Sequence, residues 1–163
     1  MATYILFWNP AISSYSQERF ENDFWEGYGV GNWSFNEYEK IQPGDRFYMV
    51  RCGEGNVGIV MKGLILTEAY ESHDWSPKNR VHIHYADIYQ NFTINSFEDV
   101  KLLTPDELTK EIPDFNWYGG HSDRLLNEED AKNLDALWDK YLAANPNLVE
   151  EDLAFKNQTD YPN

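Results

Sequence analysis

Three short apolar segments, each bounded by turn-forming residues, constrain the fold of this chain most strongly. The segments are Thr3 to Trp8, Arg46 to Arg51 and Ile59 to Thr67. Asn9-Pro10 ends the first, Pro43-Gly44-Asp45 precedes the second, and Gly53 to Gly58 separates the second from the third. Such runs are rich in β-branched and aromatic residues and are flanked by residues that favour turns. They predict three β-strands, the last two in a hairpin.

The segment Gly53 to Gly58 also matches the G-x-G-x-x-G pattern of dinucleotide-binding proteins. That pattern binds a pyrophosphate only where a helix follows it, because the helix N-terminus faces the phosphates. Here Ile59 opens an apolar strand-like run in which Gly63 marks a possible bulge. The sequence therefore favours a hairpin turn over a nucleotide site.

Three segments predict helices. Ser14 to Trp25 has the spacing of a short amphipathic helix, and Thr104 with Glu107 forms a capping box. The strongest prediction is the helix from Asn127 to about Leu142. Its apolar stripe at helical spacing consists of Leu134, Leu137, Trp138 and Tyr141. We expect one domain over residues 1–145, followed by a polar, acidic tail over residues 146–163 with at most a short helix around Glu150 to Phe155.

Arg80 to Gln90 alternates between two faces and predicts a half-exposed strand, after a loop from Ala69 to Asn79. Tyr85 is expected on one face, and His82 with His84 on the solvated face. Strands in hairpin-like succession with segregated helices are typical of the α+β class. We therefore expect a small, curved or barrel-like sheet.

Charge and aromatic content limit the kind of partner. The 163 residues include 13 basic and 28 acidic ones, which gives a formal charge of -15. Tight nonspecific binding to nucleic acid depends on Lys and Arg, so the charge argues against it. Aromatic residues make up 16% of the chain, with six tryptophans. They allow stacking on one planar ligand, although an aromatic core inside an acidic protein explains the same totals.

Cys52 is the only cysteine, so the chain has no intrachain disulfide and no cysteine-rich zinc site. We expect a buried structural cysteine in a cytoplasmic protein, since the sequence shows neither a secretory signal nor a membrane-spanning run. His82 and His84 have the spacing of a metal-chelating pair, but we expect no metal, cofactor or catalytic residue.

Four tryptophans occupy strand ends or loops, where polar residues are usual. Their segments also carry glycines, which let a ligand approach the backbone, and polar groups that can bind its edge. The predicted ligand-binding residues are Trp8, Asn9, Trp33, Ser34, Trp75, Trp117, Gly119, Gly120, His121 and Ser122.

The order of these motifs resembles the EVE domains of the PUA-like superfamily over most of residues 3–142. The resemblance rests on Trp8-Asn9-Pro10, on Pro43 to Arg46 entering a strand, and on Gly58-Ile59-Val60 with Gly63. The segment from Trp117 to Ser122, before a helix containing Leu137-Trp138, resembles EVE-like modules of some bacterial restriction-type proteins. Asp123 stands where those modules have a glycine.

The resemblance implies a small, strongly curved sheet or pseudo-barrel with flanking helices. It also implies a pocket for a modified nucleobase, as related YTH domains hold methyladenine in an aromatic cage. Carried over, Trp8, Asn9, Trp33 and Trp117 to Ser122 would line the pocket, with Trp75 beside them. Two alternatives stay open. One is an amidohydrolase-like enzyme using His121 with Asp123 or Cys52, and the other is an acidic protein-interaction domain.

Overall fold

The computed structural model of the chain describes residues 1–13, 18, 30–72, 83–94, 100–119 and 123–158. Apart from residue 18, the predicted helix from Ser14 to Trp25 lies outside the described residues. The same is true of four predicted site residues, Trp75, Gly120, His121 and Ser122.

The described strands form one mixed sheet. They are β1 (Thr3–Trp8), β2 (Val30–Ser34), β3 (Arg46–Arg51), β4 (Gly58–Ile65), β5 (Tyr70–Ser72), β6 (Ile83–Thr93) and β7 (Arg124–Leu126). Their order is β2-β6-β4-β3-β1-β7, and β5 also pairs with β6. β1 and β3 run parallel, and the other pairs are antiparallel.

Three described helices follow most of the sheet: α1 (Pro105–Glu111), α2 (Glu128–Ala144) and α3 (Pro146–Gln158). The predicted cap of α1 is confirmed, because Thr104 Oγ1 accepts a hydrogen bond from the Glu107 backbone N–H at 3.3 Å. Asn127 caps α2 in the same way through the Asp130 N–H at 2.8 Å. α3 is longer than the short helix expected around Glu150 to Phe155.

The β3–β4 hairpin confirms the prediction for the glycine-rich segment. Strands flank it on both sides, and no helix begins at Ile59. Gly53 and Gly55 adopt φ angles of 94° and 93°, which L side chains rarely adopt. The G-x-G-x-x-G match is therefore a turn. The bulge predicted at Gly63 is also present, as a register shift against β6 between Lys62 and Gly63.

Pairing registers divide the side chains between two faces of the sheet, because neighbours along a strand point to opposite sides. One face, here called the inner face, carries Tyr4, Leu6 and Trp8 of β1, Phe47 and Met49 of β3, and Ala86 and Ile88 of β6. The opposite face packs against α2, where Trp138 contacts Tyr48 and Phe92 edge-on at centroid distances of 5.9 and 5.8 Å. It is called the helix face.

The sheet is curled so strongly that the segment after one end strand contacts the segment before the other. β2 and β7 stand at opposite ends of the strand order. Nevertheless the N–H groups of Asn36 and Glu37, just after β2, donate to the carboxylate of Asp123, just before β7, at 2.6 and 2.9 Å. The two strands do not pair, so the barrel stays open. The predicted α+β class with a strongly curved sheet and flanking helices is thereby confirmed.

A second polar connection fixes α2 to the helix face. Arg46 and Tyr48 both donate hydrogen bonds to the carboxylate of Asp135, at 2.9 and 2.5 Å. Partial burial alone would raise the pKa of Asp135, but these hydrogen bonds and the Arg46 charge hold it below its ordinary value. The predicted apolar stripe of α2 is confirmed, with Leu134 and Trp138 fully buried.

Three sequence predictions about the strands are wrong. Tyr70 to Ser72, placed in a loop, forms β5, and the strand expected to end at Gln90 continues to Thr93. His84 does not lie on a solvated face: it shares the inner face with Ala86, and its side chain is only 22% exposed. The alternation itself is correct. Tyr85 lies on the opposite face and is buried, because β5 pairs alongside it and adds a neighbour that the sequence pattern did not reveal.

Candidate functional site

Trp8 and Trp33 point to the same side of the sheet, as a shared pocket requires, but they differ in burial. Trp33 pairs with Ala86, so both lie on the inner face together with Trp8. Trp8 is 0% exposed within the core cluster. Trp33 belongs to the end strand β2, where it packs against that core and remains half-buried. Of the two rings, only Trp33 is accessible in this structure.

Several predicted residues meet at the carboxyl ends of the parallel strands β1 and β3. The Cys52 N–H donates to the Trp8 carbonyl oxygen at 2.8 Å. The Asn9 side chain lies so close to Gly53 that a Cβ there would be 2.7 Å from Asn9 Oδ1. A Cβ at Gly119 would lie 3.9 Å from Cys52 Sγ. The chain after β1, the turn after β3 and the segment at Gly119 therefore lie close together.

Trp117 lies in the core on the helix-face side. It is 0% exposed, and its indole N–H donates to the Ile112 carbonyl oxygen at 3.0 Å. Its ring contacts Phe115 at a centroid distance of 4.5 Å, and Phe115 stacks on Phe7. In this structure Trp117 supports the segment that leads to Gly119, and a ligand could stack on its ring only after covering residues moved.

Ser34 is separated from its neighbour Trp33 by the alternation of β2. It pairs with Tyr85 and is exposed on the opposite side of the sheet. Its hydroxyl therefore does not face the side on which the Trp33 ring lies.

The structure also reveals an aromatic pair that the sequence did not indicate. The rings of Tyr38 and His84 stack at a centroid distance of 3.6 Å with an interplanar angle of 5°. His84 Nε2 lies 3.5 Å from a carboxylate oxygen of Glu71. His84 is two residues from Ala86, the partner of Trp33, so His84 and Trp33 are diagonal neighbours on the inner face. Trp33, Tyr38 and His84 are called the β2 rim.

Sequence spacing could not have found this pair. Tyr38 lies in the loop after β2 and His84 near the start of β6, and only the β2–β6 pairing brings them together. The alternating pattern around His84 is the one available signal, and it predicts the solvated face for a side chain that lies on the inner face.

Asp123 holds the β2 rim loop in place. Burial raises the pKa of this carboxyl, while the hydrogen bonds from the Asn36 and Glu37 N–H groups oppose that rise. Both carboxylate oxygens accept backbone hydrogen bonds. The residue that departs from the EVE pattern therefore connects the two ends of the sheet.

Two of the groups considered for an enzyme, Asp123 and Cys52, have structural contacts in this fold. Cys52 is buried, and its thiol donates to the Trp8 carbonyl oxygen at 3.6 Å.

Within the described part of the chain, no group of three or more His, Cys, Asp or Glu side chains could hold a metal ion. Across the same residues, no helix is both long and apolar enough to cross a membrane.

Comparison with known proteins identifies the fold. No protein-family model matches the chain, and no curated protein sequence matches it. A hypothetical protein of Leishmania major superposes with a TM-score of 0.64 and 13% identity, over 86% of this chain and 96% of that one. A Pseudomonas syringae protein gives a TM-score of 0.58 with 15% identity, over 83% and 99% of the two chains.

Human THYN1, solved in complex with DNA containing 5-methylcytosine, gives a TM-score of 0.59 with 12% identity, over 84% of this chain and 97% of that one. At such low identity these similarities define the fold alone: this chain has an α+β fold of the PUA-like type, as the resemblance of its motifs implied.

Proposed function

We propose that this protein is a binding domain for a planar modified nucleobase, and that the base stacks at the β2 rim on Trp33. The observation that carries the proposal is the partly exposed Trp33 ring on the inner face of a curled sheet. Among the predicted site tryptophans that the structure describes, Trp33 is the one with an accessible ring. Base–aromatic stacking contributes about 1–3 kcal/mol, enough for such a ring to determine affinity.

The similarity to THYN1 supports this choice of ligand. That protein carries the same fold and was solved with DNA containing a methylated base. The His84–Tyr38 pair beside Trp33 adds an imidazole N and a phenol OH that can bind the polar edge of a base. Asn9 and the backbone at Gly119 are further candidates from the predicted set, at the end of β1.

The formal charge of -15 makes the base, rather than the phosphate backbone, the recognised element. We therefore expect unmodified duplex DNA to bind weakly or not at all. Fluorescence anisotropy at physiological salt tests this, and a submicromolar dissociation constant would show that phosphate contacts dominate.

Isothermal titration with a panel of methylated and unmodified nucleosides, and with short single strands carrying the same bases, tests the proposal. We expect one modified base to bind and its unmodified parent to bind less tightly. Trp33→Ala should weaken that binding by roughly 5- to 150-fold, the equivalent of one lost stack.

Two matched variants make the result specific. Trp33→Phe keeps a stacking face and should retain most of the affinity. Tyr70→Ala removes an aromatic ring that is 39% exposed on the opposite side of the sheet, and it should leave binding unchanged. Unaltered binding by a folded Trp33→Ala variant would place the ligand elsewhere. Equal losses in Trp33→Ala and Tyr70→Ala would indicate a general effect on the sheet.

A further inference from the structure

A groove of about 510 Å³ lies on the helix side of the molecule, away from the β2 rim. The segment from Lys101 to Leu103, the short helix α1 and the second half of α2 form its walls. Its apolar lining consists of Leu102, Leu103, Leu137, Tyr141 and Ala144. We call it the α1–α2 groove. Its volume lies within the range of about 300–1,000 Å³ that is typical of small-molecule sites.

Hydrogen bonds fix the shape of this groove. The Tyr141 hydroxyl donates to the Lys101 carbonyl oxygen at 2.8 Å, which connects α2 to the segment before α1. Asn145 Nδ2 donates to the Tyr141 carbonyl oxygen at 2.8 Å. Leu102 and Leu103 are 1% and 2% exposed, so they are anchored in the core beneath the groove. A ligand would meet a pre-formed surface, and little free energy would be lost in ordering it.

The charges along the groove set it apart from the rest of this acidic chain. Three of the 13 basic residues line it, namely Lys101, Lys110 and Lys140. All three side chains are exposed, and within the described ranges none forms an ion pair. Glu107 and Glu111 also line the groove. The Glu107 carboxylate, however, already accepts a hydrogen bond from Thr104 Oγ1 at 3.2 Å.

We propose that the α1–α2 groove binds a small organic anion with an apolar body. The leucine floor and the Tyr141 ring would cover the apolar part, since removing such surface from water is favourable by about 25 cal/mol per Å². The three ammonium groups would surround the anionic end in a chain whose net charge otherwise repels anions. An anion seated there would gain three partners without displacing an existing ion pair.

The experiment compares two probes with the same body and opposite charge, 2-naphthoate and 2-naphthylmethylammonium. Each is titrated into the full chain and followed by ¹⁵N chemical shifts. Naphthoate should shift the amides of Leu102, Leu103 and Ala144, and the effect should weaken as salt is added. The ammonium probe should bind more weakly. Equal binding of both probes, or naphthoate shifts confined to other residues, would overturn the proposal.

Lysine variants show whether the charges act as proposed. Lys110→Gln and Lys140→Gln should each weaken naphthoate binding by about 1.5- to 5-fold, the range of an exposed ion pair. Lys132→Gln removes the same charge from α2 at a position that does not line the groove, and it should change nothing. If Lys132→Gln weakens binding as much as Lys140→Gln does, the effect is one of net charge and the site is refuted.

Two further measurements separate binding in the α1–α2 groove from simple attraction of anions and from binding at the β2 rim. Inorganic phosphate tests whether charge alone suffices, and binding as tight as that of naphthoate would refute a role for the apolar floor. Trp33→Ala should leave naphthoate binding intact, and a loss of naphthoate affinity in this variant would place the probe at the β2 rim instead. The groove and the proposed base site can therefore fail independently.

Discussion

Trp8 and Trp33 lie on the same side of one sheet and yet differ in burial. Both rings lie on the inner face, but Trp8 belongs to a strand with neighbours on both sides, whereas Trp33 belongs to the end strand β2. The first ring is therefore enclosed at 0% exposure, and the second keeps part of its surface open. Position in the strand order, rather than residue type or local motif, separates a core tryptophan from a candidate ligand-binding one.

The largest effect should come from the enclosed ring. Trp8→Ala removes a fully buried side chain and should lower the free energy of unfolding by about 3–5 kcal/mol. For a chain of this size each 1 kcal/mol corresponds to about 2–4 °C, so the melting temperature should fall by roughly 6–20 °C. Calorimetry measures this. A variant that melts close to the parent would mean that the Trp8 ring is not part of the core.

Substitutions at Asp123 test whether its hydrogen bonds hold the two ends of the sheet together. Asp123→Ala leaves the N–H groups of Asn36 and Glu37 without their acceptor and should cost about 1–3 kcal/mol. Asp123→Asn keeps one acceptor oxygen and should cost less. Urea unfolding of the two variants measures how much unfolding free energy each one loses. If Asp123→Ala proves neutral, the curl does not depend on this contact.

As pH falls, the contributions of Asp123 and Asp135 to the free energy of unfolding should change in opposite directions. The pKa of Asp135 is lowered in the fold, so its contribution is present above its ordinary pKa and is lost as pH falls through the folded value. Asp135→Asn should thus be most destabilising near neutral pH and progressively less so as pH falls below about 4.

The pKa of Asp123 is raised by burial, so the folded state binds its proton more readily than the unfolded chain does. The advantage of the parent over Asp123→Asn should therefore grow as pH falls. Urea unfolding between pH 3 and 7 gives both profiles, and two parallel profiles would contradict the opposite environments of these carboxylates.

Much of the fold was predictable, because local signals agreed with the tertiary structure. Thr3 to Trp8, the β3–β4 hairpin and the capped helices follow from apolar runs, turn residues and caps that act over a few positions. β2, β5 and β7 were missed because they are short and are stabilised by pairing with distant partners.

The candidate site was predictable only in part. The sequence indicated Asn9, Trp33 and Gly119, but it could not assign Trp8 and Trp117 to the core, because burial depends on which strands and side chains become neighbours. The Tyr38–His84 pair depends on the same long-range pairing.

The smallest effect on stability should come from the accessible ring. Trp33→Ala removes a half-buried side chain at the end of the sheet and should cost less than about 2 kcal/mol. Thermal melting of Trp33→Ala and Trp8→Ala under the same conditions compares the two stability costs directly. A cost equal to that of Trp8→Ala would remove the distinction between the two rings.

The indole N–H resonances of the six tryptophans allow the most direct test of base binding at the β2 rim. They are recorded by ¹⁵N NMR while the tightest-binding modified nucleoside is added, with Trp8 and Trp33 assigned by replacing each with Phe. The Trp33 signal should shift in a saturable way and the Trp8 signal should stay in place. A shift at Trp8 without one at Trp33, or saturable binding that moves neither, would contradict a site at the β2 rim.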